Sequence, residues 1–392
     1  MKGSLSVAYG WIVQIKRRWG RGVSIVILTL LASTGAEAQS VTTCPAANPY
    51  DDRPDDGALQ TCLDSYDRTL LVAEGRPDYV GYVIADTVIL RRDGALLTTA
   101  DSPRKAVILA DPALAEPLLS AQANRFEISF IRFDGAQERR VVRLKACSET
   151  RNYRNVELRG VGFQIRYVES TRAVCGSGMT IGASSRFQVV NSWFYDNGRQ
   201  PEDAEGHTDL WADGLNVFNC AGATIRDNVF WDNTDVDLGV NGGPGCSVYR
   251  NRVEHFGKYA FAGIVVGDPS RAGGEFTANT VSSARDMLGF GMVVGCHVWP
   301  QCGNGYATRL VVANNIMTGA VVNMVVDGLN GGAVEQNTMR NPQGTRALNC
   351  ATAADYVVAH VIDVRLQSGY IVRPTDFGTP CPGVNSLGAL RR

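Results

Sequence analysis

The sequence predicts an all-β chain wound as a right-handed parallel β-helix with a short N-terminal capping helix, and two observations carry that expectation. The first is a repeat between about residue 150 and residue 340. Its units are VVNSWF (Asn191), IRDNVF (Asn228), VYRNRV (Asn251), FTANTV (Asn279), VANNIM (Asn315) and VEQNTM (Asn337), at intervals of 37, 23, 28, 36 and 22 residues. A basic period with occasional longer intervals is what a solenoid produces when extra residues loop out of single turns. The second observation is a strand that follows each unit: GMTIG (178–182), GLNVF (214–218), DLGVN (237–241), GIVVG (263–267), GMVVG (291–295) and NMVVD (323–327). The second and fourth residues of these strands are apolar throughout, which is the period of a strand with one buried face. The first and third are then expected to point outward, and since the first is mostly Gly they would leave a shallow trough along the sheet.

The recurrent asparagines are expected to form a ladder inside the turns, because a buried amide must be satisfied by backbone and by its neighbours. Ahead of the repeats, DDGALQTCLDSY (Asp55 to Tyr66) places two Asp residues before a short helical pattern. Such a helix covers the open end of a solenoid, which otherwise exposes strand edges and apolar core. The reading is one domain over 39–392, with a cap over about 44–80, rungs over about 80–345 and a C-terminal cover over about 346–392.

Residues 1–38 read as an export signal. Lys16, Arg17, Arg18 and Arg21 precede an apolar run of 11 residues, Val23 to Ser33, and Ala36-Glu37-Ala38 has the small-x-small form of a cleavage site. The run is too short to cross a bilayer core of about 30 Å as a helix, so no membrane anchor is expected. Without that leader the chain carries 33 Lys and Arg against 38 Asp and Glu, a balance that argues against a nucleic-acid partner. Ten cysteines, an even number, indicate disulfides and an oxidising compartment, secreted or periplasmic. Sequence leaves the pairing open; neighbours are the expectation, 44 with 62, 147 with 175, 220 with 246, 296 with 302 and 350 with 381. No Cys or His spacing fits zinc. A Gly-x-Ser-x-Gly elbow, a P-loop and a dinucleotide fingerprint are likewise missing from any supporting context.

These features resemble the pectate-lyase-like superfamily of β-helix proteins, which spans pectate lyases, polygalacturonase-type hydrolases and phage tailspikes. Hydrolysis, β-elimination, epimerisation and plain binding all occur on that architecture, so the resemblance implies a fold and a polysaccharide partner more than a reaction. Locally, WADGLNV (Trp211 to Val217) is similar to the Asn-Thr-Asp-Gly element of polygalacturonase-type hydrolases, with Asp213 on its aspartate. In NTDVDLGVN, Asp235 falls on the first aspartate of the Asp-Asp-Cys element, Val236 on the second and Asp237 on the cysteine. Ala262 stands where the family's histidine is expected and no Arg-x-Lys follows, so polygalacturonic acid is not carried over as substrate.

Breaking a glycosidic bond requires a proton donor at the leaving oxygen and a second carboxylate that activates water or attacks the sugar. Asp213, Asp235 and Asp237 are the candidates. Asp235 and Asp237 would both face the trough, with Cα atoms about 6.5–7 Å apart, a spacing that favours inversion. Asp213 would sit one rung away and reach the trough if the chain bends at Ala212. Crowded carboxylates leave one of them protonated, which supplies the acid. The same three could hold Ca²⁺ in a lyase or epimerase acting on a uronate polymer, with Lys258 or Arg285 as the base; otherwise no cofactor is expected. A third reading is a carbohydrate-binding protein without catalysis. Trp211, His255, Lys258, Tyr259, Arg285, His297 and Trp299 are candidate substrate contacts, the two tryptophans as stacking platforms; His207, Asp209 and Asp327 occupy comparable turns.

Overall fold

In the computed structural model the described residues are 41–140, 147, 153–199, 211–267, 271–284, 287–297, 305–342 and 354–372. They wind into coils of three short strands, each pairing in parallel with its equivalent one coil on. One coil is Val236–Val240, Ser247–Tyr249 and Arg252–His255; the next is Ala260–Val266, Glu275–Thr277 and Thr280–Ser283. The first two strands of each coil join one sheet of 22 strands and the third joins a second sheet of 10. The chain is a right-handed parallel β-helix.

Register bears out the buried half of the expected alternation. Met179, Leu215, Leu238, Ile264, Met292 and Met324 stack in one row, and Ile181, Val217, Val240, Val266, Val294 and Val326 in a second. All of them lie in the buried core, each contributing about 1.5–3 kcal/mol of apolar burial. Aromatic rings stack coil on coil in the same way, Phe126 on Phe163 at 4.7 Å and Phe163 on Phe187 at 5.0 Å.

The asparagine ladder is present from Asn228 onward. Asn228 Nδ2 donates to Asn251 Oδ1 at 2.9 Å, Asn251 to Asn279 at 2.9 Å, Asn279 to Asn315 at 3.0 Å and Asn315 to Asn337 at 2.9 Å. Gln367 Oε1 then accepts from Asn337 N and ends the series. Asn191 is a correction. Ser192, one residue later, occupies the ladder position and donates its N–H to Asn228 Oδ1. Asn191 instead matches Asp227, Arg250, Ala278, Asn314 and Gln336, the residue before each ladder asparagine, all with φ between 50° and 59°. The turn needs one left-handed residue, and Asn tolerates that conformation well.

Both ends of the coil run further than expected. Val41–Thr43 already pairs with Arg68–Leu71, so paired strands begin well before residue 80. Beyond 345, Ala354–Ile362 pairs with Val322–Glu335 and Ile371–Val372 pairs with it in turn. The capping helix is Asp56–Ser65. Asp55 ties it to the first coils through hydrogen bonds from Asn48 N at 2.7 Å and Val83 N at 3.2 Å.

Cys44 is bonded to Cys62, Cys147 to Cys175 and Cys220 to Cys246, as the neighbour pairing predicts. Cross-links of this kind typically add about 2–4 kcal/mol and belong to oxidising compartments. Cys296 is also disulfide-bonded; Cys302, Cys350 and Cys381 lie outside the described residues, as does the segment 1–38 expected to be an export signal. Among the described residues no helix is long and apolar enough to cross a membrane.

Candidate active site

Asp213 is the second residue of the strand Ala212–Val217, stacked beside Ser177 of the preceding coil. Three donors hold its carboxylate: Asn216 Nδ2 at 2.9 Å, Ser177 Oγ at 3.2 Å and the backbone N–H of Val236 at 3.3 Å. Burial pushes its pKa up to about 6, against those three hydrogen bonds, with the charge of Asp237 adding to the rise. Asp235 enters the next coil beside it, its backbone N–H donating to the carbonyl of Ala212 at 3.3 Å. Its carboxyl is pushed well above the ordinary carboxylate value, by burial first and by the neighbouring Asp213 second.

Both acids line a cavity of about 240 Å³ on the outer face of the sheet, together with Trp211, Asn216, Phe218 and Asn241. Gly239 forms part of its floor. A Cβ there would meet nothing closer than Asn216 Oδ1 at 3.5 Å, so the missing side chain opens space rather than avoiding a clash. The row continues as Val265, Val293 and Val325, which fill that space in later coils.

Asp237 does not join them. The expected outward parity of the first strand residue fails, because this row turns into the coil. A Cβ at Gly214 would lie 3.1 Å from Phe230 Cδ1, and one at Gly263 would lie 2.8 Å from Val281 Cγ1, both on the opposite sheet. Asp237 is the one acidic residue in that glycine row, and its carboxylate goes inside. Its Oδ1 accepts from Asn233 Nδ2 at 2.7 Å and its Oδ2 faces His255 Nε2 at 2.5 Å. Asp237 and His255 are both fully buried. His255 Nδ1 sits 3.0 Å from the carbonyl of Lys258, so that nitrogen carries a proton, and a second proton is shared between Nε2 and Asp237. Burial raises the pKa of Asp237; it opposes the charged form of His255, but Asp237 outweighs it and raises that pKa also.

A trough-facing Asp235–Asp237 pair is thus absent, and with it the basis for expecting inversion. The three-carboxylate calcium cage is not assembled either, since both oxygens of Asp237 are committed inside the coil. His255 is part of that interior pair and touches no outer surface. Lys258 Nζ pairs with Asp196 at 3.1 Å and donates to the carbonyls of Asp196 and Gly198, which closes a turn. Tyr259 is half-buried beside it, and neither lines the cavity. His297 packs with Asp327 and His360 elsewhere on the same sheet. Arg285, Trp299, His207 and Asp209 lie outside the described residues.

Sequence reading brought Trp211, Asp213 and Asp235 together and missed Asn216, Phe218, Asn241 and Ser177. Asn216 was legible in principle, being the third, outward residue of GLNVF. Ser177 was not, because nothing local marks a serine as the partner of an acid 36 residues later. Arg154, two coils before Asp213, also feels the charge of that residue.

A family model described as "Right handed beta helix region" matches residues 145–315. No curated protein sequence matches the chain. Among solved structures the chain is similar to the A-module of mannuronan C-5 epimerase AlgE6 from Azotobacter vinelandii, at 14% identity and TM-score 0.52, covering 85% of this chain and 89% of that one. An alginate lyase from a Paenibacillus species matches at 11% identity and TM-score 0.47, covering 82% and 96%. The surface protein and adhesin PfbA of Streptococcus pneumoniae matches at 10% identity and TM-score 0.48, covering 86% and 100%. Identity this low is a likeness of fold. The chain therefore has the fold of a right-handed parallel β-helix protein.

Proposed function

We propose that the chain is an exported, polysaccharide-acting enzyme, a glycoside hydrolase whose acid and base are Asp235 and Asp213. The observation that carries this reading is that two carboxyl groups of raised proton affinity share one outer cavity but are held differently. Asp213 accepts three hydrogen bonds that stabilise its anion, while Asp235 feels Asp213 as a neighbouring charge. The proton therefore rests on Asp235, the general acid, and Asp213 is the carboxylate that activates water or attacks the sugar. Trp211 and Phe218 flank the acids and offer apolar faces to a sugar ring.

Among the described residues lining the cavity there is no Lys, Arg or His. A lyase acting on a uronate needs a base and a cation beside the carboxyl, which this lining would have to obtain from outside its own side chains, so hydrolysis by the two acids is the simpler reading. The basic-then-apolar leader and the disulfides support export.

Digestion of a panel of plant, algal and bacterial polysaccharides tests the proposal. The expected result is new reducing ends from at least one polymer, without the ultraviolet band of unsaturated uronates. Unsaturated products that vanish with a chelator, or binding without cleavage of any polymer, would overturn it.

A further inference from the structure

We propose that His297, Asp327 and His360 form a binding site for a divalent transition-metal ion of the zinc class, independent of the acid pair. Asp327 lies in the strand Val322–Glu335 and pairs with Ala359, next to His360. Its row descends through Gly295 and Gly267 to Asn241 at the rim of the acid cavity. Three coil spacings separate them, about 14 Å. His297 is held against the same strand by its own N–H, which donates to the carbonyl of Asp327 at 3.2 Å.

One ligand atom from each of the three residues lies within 4.8 Å of the other two. The hydrogen bonds say more than proximity does. His297 Nε2 is 2.8 Å from the carbonyl of Gly305, so Nε2 carries the proton and Nδ1 presents a lone pair. That lone pair faces Asp327 Oδ1 at 3.5 Å. Two acceptors turned toward each other need a proton or a metal ion between them, and a metal ion would draw in the third group, His360, as well. A histidine whose far nitrogen is anchored to a backbone carbonyl is also the usual support of a metal-ligating imidazole.

His360 Nδ1 approaches the same carboxylate oxygen at 2.8 Å. Its backbone is left-handed, with φ 44°, a conformation that this coil also uses at many of its turns. Asp327 supplies a separate observation. It is fully buried, yet among the described residues its Oδ2 has no hydrogen-bond partner. A buried carboxylate with an unsatisfied oxygen is paired or coordinates a metal. Bonds of about 2.0–2.2 Å to three ligands at tetrahedral or right-angle spacing put those ligands about 3.0–3.5 Å apart. The two pairs that include Asp327, at 2.8 Å and 3.5 Å, bracket that range, and the ligand atoms of the two imidazoles lie within 4.8 Å of each other. Two imidazoles and one carboxylate suit zinc and its neighbours, whereas calcium selects oxygen ligands. His360 is partly exposed, which leaves an open side for water.

The sequence holds four histidines, so a titration on the full exported chain without a histidine tag is clean. Stripped with chelator and dialysed against zinc chloride, the protein is expected to retain one equivalent, and Co²⁺ in its place to give the visible absorption of a low-coordinate site. His360→Gln, at a partly exposed position, and His297→Gln are each expected to weaken zinc retention at least about 10-fold, the effect typical of losing support at a metal site. Circular dichroism confirms that each variant folds; should His297→Gln not, His360→Gln decides alone. Retention of less than half an equivalent, preference for calcium, or unchanged retention in folded His360→Gln overturns the proposal.

Discussion

The carboxylate of Asp237 faces Nε2 of His255 at 2.5 Å inside the coil, where neighbouring coils place Gly214 and Gly263. Asn197 donates to Asn233 and Asn233 donates to Asp237, so the pair closes a second, shorter buried ladder. His255→Ala strands a buried carboxylate and is expected to destabilise the fold by about 3–5 kcal/mol, read from denaturant unfolding. Asp237→Asn keeps a partner for both neighbours and is expected to cost much less.

Folding raises the proton affinity of both members of this pair, so the native chain binds more protons than the unfolded one. The histidine contribution is fully present below the unfolded value of about 6.5 and is lost as pH rises through the higher folded value. Melting temperature is therefore expected to fall over that interval, and the slope to flatten in His255→Gln.

Activity is expected to follow a bell-shaped pH profile. The rising limb reports ionisation of Asp213 near pH 6, and the falling limb reports loss of the proton from Asp235, whose carboxyl is held higher. A rate that only rises with pH would remove Asp235 as the acid.

Gly239→Val places in the cavity floor the residue that Val265 already provides one coil later. With nothing closer than 3.5 Å to the new Cβ, stability should change by less than about 1 kcal/mol while KM rises several-fold. Unchanged KM would mean that substrate does not enter this cavity.

Asn279→Ala breaks the ladder in its middle, leaving the backbone N–H of Asn251 and one N–H of its side-chain amide without an acceptor, and is expected to cost about 2–4 kcal/mol. Asn191→Gly should be close to neutral, because that position asks only for a left-handed backbone. Urea unfolding of both variants separates the two roles.

The coil was legible because its signals are local and periodic. Leu238, Ile264 and Met292 follow a period of two, and Asn251, Asn279 and Asn315 recur at the same point of each turn. The error at Asp237 came from the same rule, since strict alternation cannot see a row such as Gly214, Asp237 and Gly263 turning inward. Asn191 was misplaced by one residue for a related reason: Ser192 does the work of an asparagine without resembling one. His360 escaped notice because its partners lie 33 and 63 residues away, and only the stacking of coils brings Asp327 and His297 to it.

The division of labour among the three aspartates is tested most directly by turnover of a polymer the native enzyme degrades, compared in Asp213→Asn, Asp235→Asn and Asp237→Asn at equal folded concentration. The expected result is a loss of about 10²–10⁴-fold in the first two and near-native turnover in the third. Full activity in Asp235→Asn, or its loss only in folded Asp237→Asn, would contradict the assignment of the chemistry to the outer cavity.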